Sequence, residues 1–139
     1  MRRLIVLITL SLLWGSLAWA QTGVAVKIPE ILRLYVNGLE TQQVPVTVHE
    51  GRVTPEALEI LVIANTSWTL VASSTPLVGP TTLPPERLRL GGVPLSAAPR
   101  VLTAGRGAWR ARLPLTVRLV PGDPEGTYRS VITLQLARP

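Results

Sequence analysis

From Trp109 to Leu136 the chain carries two runs of alternating apolar and polar residues joined by one short loop, and the other strands are read against this stretch. In the first run Trp109, Ala111, Leu113, Leu115, Val117 and Leu119 share one parity; Arg110, Arg112, Pro114, Thr116, Arg118 and Val120 share the other. A period of two belongs to a strand with one face on a core and one in water. After Pro121-Gly122-Asp123-Pro124-Glu125-Gly126 the inner parity resumes with Tyr128, Ser130, Ile132, Leu134 and Leu136, leaving Arg129, Thr133 and Gln135 outside. Burying the apolar face of the first run contributes on the order of 10 kcal/mol, at roughly 1.5–3 kcal/mol per large side chain. A slip of one residue would turn Arg110, Arg112 and Arg118 inward, so the register is strongly specified. The pattern predicts two paired ribbons near the carboxyl end, with Trp109, Leu115, Tyr128 and Leu134 in the core.

The same rule places the earlier strands. Val24, Val26 and Ile28 alternate up to Pro29, and Ile31 to Val36 predicts a strand ending at Asn37-Gly38, a strong hairpin-turn signal. Val44, Val46 and Val48 alternate around Pro45, which cannot donate to a ladder and so predicts an edge strand. Thr54-Pro55-Glu56-Ala57 reads as the start of a short helical turn, with a threonine cap and proline at the first position. Leu58 to Ala64, apolar on both parities, predicts a central strand. Asn65-Thr66 makes a corner, after which Trp68, Leu70 and Ala72 point inward. Ser73 to Pro85 has no periodicity and predicts a loop. Leu88 and Leu90 form a short strand stopped by Gly91-Gly92, and Arg100 to Thr103 forms another. Ala104-Gly105-Arg106-Gly107 turns that strand back into the Trp109 run. The sum is an all-β fold, a single antiparallel Ig-like β-sandwich of about seven to nine strands.

Residues 1–20 stand outside this pattern. Arg2 and Arg3 precede an apolar run from Leu4 to Leu13, and Ala18-Trp19-Ala20 supplies a cleavage site before Gln21. This is the layout of a cleaved secretory signal, the run being too short to span a bilayer. Residues 21–139 then form the β-sandwich domain, exported to the periplasm or the cell surface, with no transmembrane anchor in the mature chain. Its 119 residues suffice for one domain with a core of its own, and its formal charge is +4 against +6 for the whole 139-residue chain, since Arg2 and Arg3 leave with the signal. There is no cysteine, so no disulfide staples the exported domain. Thirteen prolines, and thirteen arginines against one lysine, fit a heat-adapted source.

Candidate chemistry is sparse. The one histidine, His49, falls on the outward parity beside Glu50, and no nucleophile, base and carboxylate are spaced as a hydrolytic triad requires. No Cys, His or carboxylate cluster has metal-ligand spacing, and Asp123 and Glu125 read as turn and solubility residues. The sequence therefore predicts a non-enzymatic protein without cofactor or metal. Arg110, Arg112 and Arg118, with Arg129 across the loop, predict a cationic stripe on one sheet face, suited to anionic polysaccharide or lipid headgroups. Nucleic acid is excluded as a partner by export and by aromatics that mostly fall on core parities. Asn65-Thr66-Ser67 matches the N-glycosylation pattern. Tyr128, following Gly126 at a strand start, sits where sandwich folds place a tyrosine whose hydroxyl bonds back across the turn. Ser130 stands where disulfide-bearing versions carry a cysteine.

Pro124-Glu125-Gly126-Thr127-Tyr128 running into Val131-Ile132-Thr133-Leu134 resembles the ending of bacterial secreted β-sandwiches of the fimbrial-subunit and spore coat protein U type. Ile63-Ala64-Asn65-Thr66-Ser67-Trp68-Thr69-Leu70 is similar to a corner found in WxL-type cell-surface domains. The resemblance implies a subunit of a surface fibre or coat, or an envelope interaction domain. In such fibres an N-terminal extension supplies a strand to the next subunit, and Val24, Val26 and Ile28 have the alternation for that role. The alternative, an ordinary first strand of its own sandwich, stays open. The expected function is thus a structural or interaction domain whose partner is protein, itself or an envelope component, joined through strand edges. The alternative function is a module that binds anionic glycan or a membrane surface through the arginine face.

Overall fold

The computed structural model describes residues 28–139. Residues 1–20, where a signal is expected, and all of the Val24–Ile28 run except Ile28 lie outside the described residues; Ile28 is 78% exposed. Twelve strands follow one another: β1 (Leu32–Val36), β2 (Gln43–His49), β3 (Arg52–Thr54), β4 (Ala57–Ala64), β5 (Ser67–Ser74), β6 (Leu77–Val78), β7 (Thr82–Leu83), β8 (Leu88–Leu90), β9 (Val93–Pro94), β10 (Arg100–Arg106), β11 (Trp109–Val117) and β12 (Thr127–Ala137). One 3₁₀ turn spans Pro85–Arg87. The count exceeds the expected seven to nine because β3, β6, β7 and β9 are only two or three residues long.

All pairings are antiparallel and build two sheets, one of five strands in the order β9-β8-β11-β4-β1 and one of seven. The second runs β10-β5-β12-β2-β3, with β6 also against β12 and β7 against β6. The sheets enclose one apolar core. Leu34, Val36, Leu58, Ile60, Val62, Leu88, Leu90 and Leu115 come from the first sheet; Val46, Val48, Trp68, Leu70, Tyr128, Ile132 and Leu134 come from the second. The alternation predicted for Trp109–Val117 and Tyr128–Leu136 is present, with Tyr128, Leu115 and Leu134 buried. Trp109 is half-buried, its ring 5.6 Å from that of Trp68. Leu119 lies beyond the end of β11 and is 43% exposed, so the alternating pattern outruns the strand.

Several connections differ from expectation, most of them because the chain changes sheet where the sequence suggests a hairpin or a helical turn. β11 and β12 are not paired ribbons but lie in opposite sheets, β11 between β4 and β8 and β12 between β2 and β5. The Gly107-Ala108 link likewise carries the chain from β10 in one sheet to β11 in the other. Asn37 and Gly38 do adopt the left-handed backbone of a tight turn (φ 51° and 83°), closed by two hydrogen bonds between Val36 and Leu39. Only that one bridge forms before the chain crosses to β2 in the other sheet. Thr54-Pro55-Glu56 starts no helix, because two residues must take the chain from β3 across to β4. The Ser73–Pro85 stretch is not a featureless loop: β6 and β7 pair as a small hairpin and bury Leu77 and Leu83.

The hairpins that do form carry their turns in sequence. β2 and β3 meet through Glu50-Gly51, both left-handed, and β8 and β9 through Gly91-Gly92. Pro45 sits on β2 opposite Val131, whose N–H and C=O both bond to Thr75 on the far side of β12. That pair is therefore the non-bonded kind, and the proline nitrogen faces the open edge where no donor is required.

Candidate interaction surfaces

His49 stands at the end of β2, its Nδ1 2.9 Å from Thr127 Oγ1 and its Nε2 3.9 Å from a Glu50 carboxylate oxygen. It borders a groove of about 640 Å³ whose walls include Val48, Glu50, Leu119, Pro124 and Tyr128. No serine or cysteine reaches this groove's lining, and among the described residues no three His, Asp or Glu side chains converge as metal ligands.

Beside the groove, Asp123 holds the β11–β12 connection. Its carboxylate receives the Arg87 guanidinium and accepts the Val120 N–H at 2.9 Å, and both charged side chains are largely sheltered from water. The Arg87 hydrogen bond, helped by the Val120 N–H, holds the Asp123 carboxyl below the usual carboxylate range. Asp123 is thus a loop latch. Tyr128, at the start of β12, donates its hydroxyl to the carbonyl of Pro124, 2.5 Å away, across that corner. Ser130 is buried and hydrogen-bonded: its hydroxyl donates to the Thr75 carbonyl at 2.8 Å and lies 2.9 Å from Ser74 Oγ.

Asn65 occupies the corner between β4 and β5. Its Oδ1 accepts the Ile31 N–H at 2.7 Å and its Nδ2 donates to the Pro29 carbonyl at 2.9 Å, while its own N–H bonds the Ile31 carbonyl. The nitrogen a glycan would use is therefore engaged in fixing where the chain enters the domain. An exposed Glu30–Arg138 ion pair ties the same segment to the end of β12.

The four arginines singled out in the sequence do not share a face. Arg110 and Arg112 project from the outer side of β11, and Arg118 follows that strand's end. Arg129 is on β12 in the opposite sheet, so the predicted stripe does not include it. The fold instead adds Arg33 and Tyr35 from β1 and Arg89 from β8 to the face that carries Arg110 and Arg112. The outward parity of Arg33 and Tyr35 is readable in the Ile31–Val36 alternation. That β1 lies one strand away from β11 is not.

Edges complete the surface. Ile31 and Asn37 both bond toward β4, so by alternation the backbone groups of Leu32 and Leu34 point to the side of β1 that no other described strand occupies. Val36 shares that direction, but Leu39 satisfies it. The open side of β1 faces a groove of about 370 Å³ walled by Leu32, Leu34, Gln42 and Leu136. Other edges are blunted. β9 has two residues and contains Pro94, β2 presents Pro45, and β10 has a register shift between Val101 and Thr103 and an arginine at each end.

Compared with protein families, with curated proteins and with solved structures, the chain matches none.

Proposed function

We propose that this chain is a non-enzymatic, exported structural or interaction domain of the cell envelope or surface, which assembles with another copy of itself by adding a strand to the β1 edge. Among the described residues, the observation that supports the reading is the Leu32–Leu34 backbone, unpartnered on its outer side beside an open groove, on the one long edge that carries neither proline nor bulge. An incoming extended segment gains main-chain hydrogen bonds from such an edge and selectivity from side chains that alternate into the groove. The segment ending in Val24, Val26 and Ile28 has that alternation. Pro29 to Ile31, pinned by Asn65 and Arg138, lead directly into β1 without a turn, which favours delivery to a neighbouring copy over return to the same edge.

The test is the association state of the mature chain beginning at Gln21, followed by light scattering over a wide concentration range. Concentration-dependent assembly is expected, and Leu32→Pro should abolish it, because the lost N–H points away from β4 and the sheet's own ladder is untouched. A melting curve of that variant verifies the fold. A monomer at every concentration overturns the reading.

A further inference from the structure

The outer face of the five-stranded sheet holds a recess that strand addition at the β1 edge does not use. It encloses about 210 Å³ and is lined by Tyr35, Gly38, Glu59, Leu61 and Arg110. Tyr35 on β1 stands directly across from Leu61 on β4, which stands across from Arg110 on β11. One row over three strands thus presents an aromatic ring, an aliphatic floor and a guanidinium. In the next row Arg112 donates to Glu59 Oε2 at 3.0 Å, so that carboxylate's charge is paired with Arg112 while its Oε1 can still accept. Arg110 has no acidic partner among the described residues. Gly38 leaves the recess open on one side, since a Cβ there would meet nothing within 4 Å.

The charge continues beyond the recess. Arg33 lies opposite Ile63 at one end of the face, and Arg89 lies opposite Thr116 at the other. From strand spacings these stand on the order of 12 and 20 Å from Arg110 along a diagonal. Four strand arginines on this face meet one strand carboxylate, Glu59, and the loop carboxylate of Glu40 acts on Arg33.

We infer that this recess seats one acidic sugar ring of an anionic polysaccharide, with Arg110 pairing the sugar carboxylate, Tyr35 against the apolar face of the ring and Glu59 accepting from its hydroxyls. A guanidinium offers a planar fork of donors matched to a carboxylate, and a tyrosine offers a rigid flat surface with little entropy to lose. Arg33 and Arg89 then meet later acidic units of the same extended polymer. A bilayer fits less well. Surface-bound proteins push apolar side chains past the headgroups, whereas Tyr35 and Leu61 are half-buried here and Ile63 is only 41% exposed.

Calorimetric titration of the mature chain with polygalacturonate tests this. Binding that weakens with salt is expected, and Arg110→Gln and Tyr35→Leu should each weaken it about tenfold, as loss of a charge-assisted or stacking contact predicts. Arg129→Gln, on the other sheet's outer face, should leave it unchanged, and so should Leu32→Pro, which separates this surface from the strand edge. All four variants are verified as folded by their melting curves. Equal weakening by Arg129→Gln would show diffuse charge attraction and overturn the assignment. Binding to phosphatidylglycerol vesicles without binding to polygalacturonate, or no binding to either, would overturn it as well.

Discussion

Tyr128 donates its hydroxyl to the carbonyl of Pro124, four residues upstream, while its ring is 1% exposed in the core. The contact closes the corner through which the chain passes from one sheet to the other. Gly79 lies against the same ring, where a Cβ would come within 2.7 Å of a ring carbon, so the β6–β7 hairpin also rests on this side chain. Tyr128→Phe should keep the packing and lose the hydrogen bond, leaving the exposed Pro124 carbonyl to water. We expect a loss of about 0.5–1.5 kcal/mol in denaturant unfolding, with an unchanged slope against denaturant.

The Asp123 latch has a definite pH signature. Its folded-state value is lowered, so it adds stability above the unfolded carboxylate value of about 3.9, and that stability is lost as pH falls toward the folded value. Asp123→Asn should therefore melt below the wild type at pH 7, and the gap should narrow steadily below about pH 5. A gap that stays constant down to pH 3 would show that Asp123 contributes no titrating interaction.

Trp68 is held by both shape and hydrogen bonding. Its indole N–H donates to the Gly107 carbonyl at 2.8 Å, and a Cβ at Gly105 would approach the ring to 2.9 Å. Gly105→Val should force the ring or β10 to move and destabilise the domain by about 1–3 kcal/mol. The near-ultraviolet dichroism of the Trp68–Trp109 pair should change with it.

Asn65→Ala should remove the acceptor for the Ile31 amide and the donor for the Pro29 carbonyl together. Amide exchange at Ile31 should accelerate sharply while exchange at Ile60 and Val62 in the core stays slow.

Much of the fold was legible because a strand half in a core must repeat every two residues. The inward sets Trp68-Leu70-Ala72 and Tyr128-Ile132-Leu134 were readable from local spacing alone, whereas in Leu58–Ala64, apolar on both parities, only the packing selects Leu58, Ile60 and Val62. The β6–β7 hairpin was not, since two-residue strands leave no period to detect. Its Leu77 and Leu83 are buried by what packs on them from elsewhere. The candidate sites were legible only in part. Arg110 and Arg112 could be placed on an outer face from parity, but their neighbours Tyr35 and Arg33 come from a strand some seventy residues earlier.

By itself, then, the order of residues determined which side chains of the alternating strands face inward, where several tight turns fall and that the class is all-β. Those properties depend on contacts within a few residues, where alternation and backbone conformation are set. Tertiary structure alone decided which strands are neighbours. It placed β11 and β12 in different sheets, moved Arg129 away from the other arginines, brought Arg33 and Tyr35 beside Arg110, and left one edge of β1 without a neighbour among the described residues. Pairing between strands depends on burial summed over the whole core. A short loop between two alternating runs is equally compatible with a hairpin and with a step from one sheet to the other.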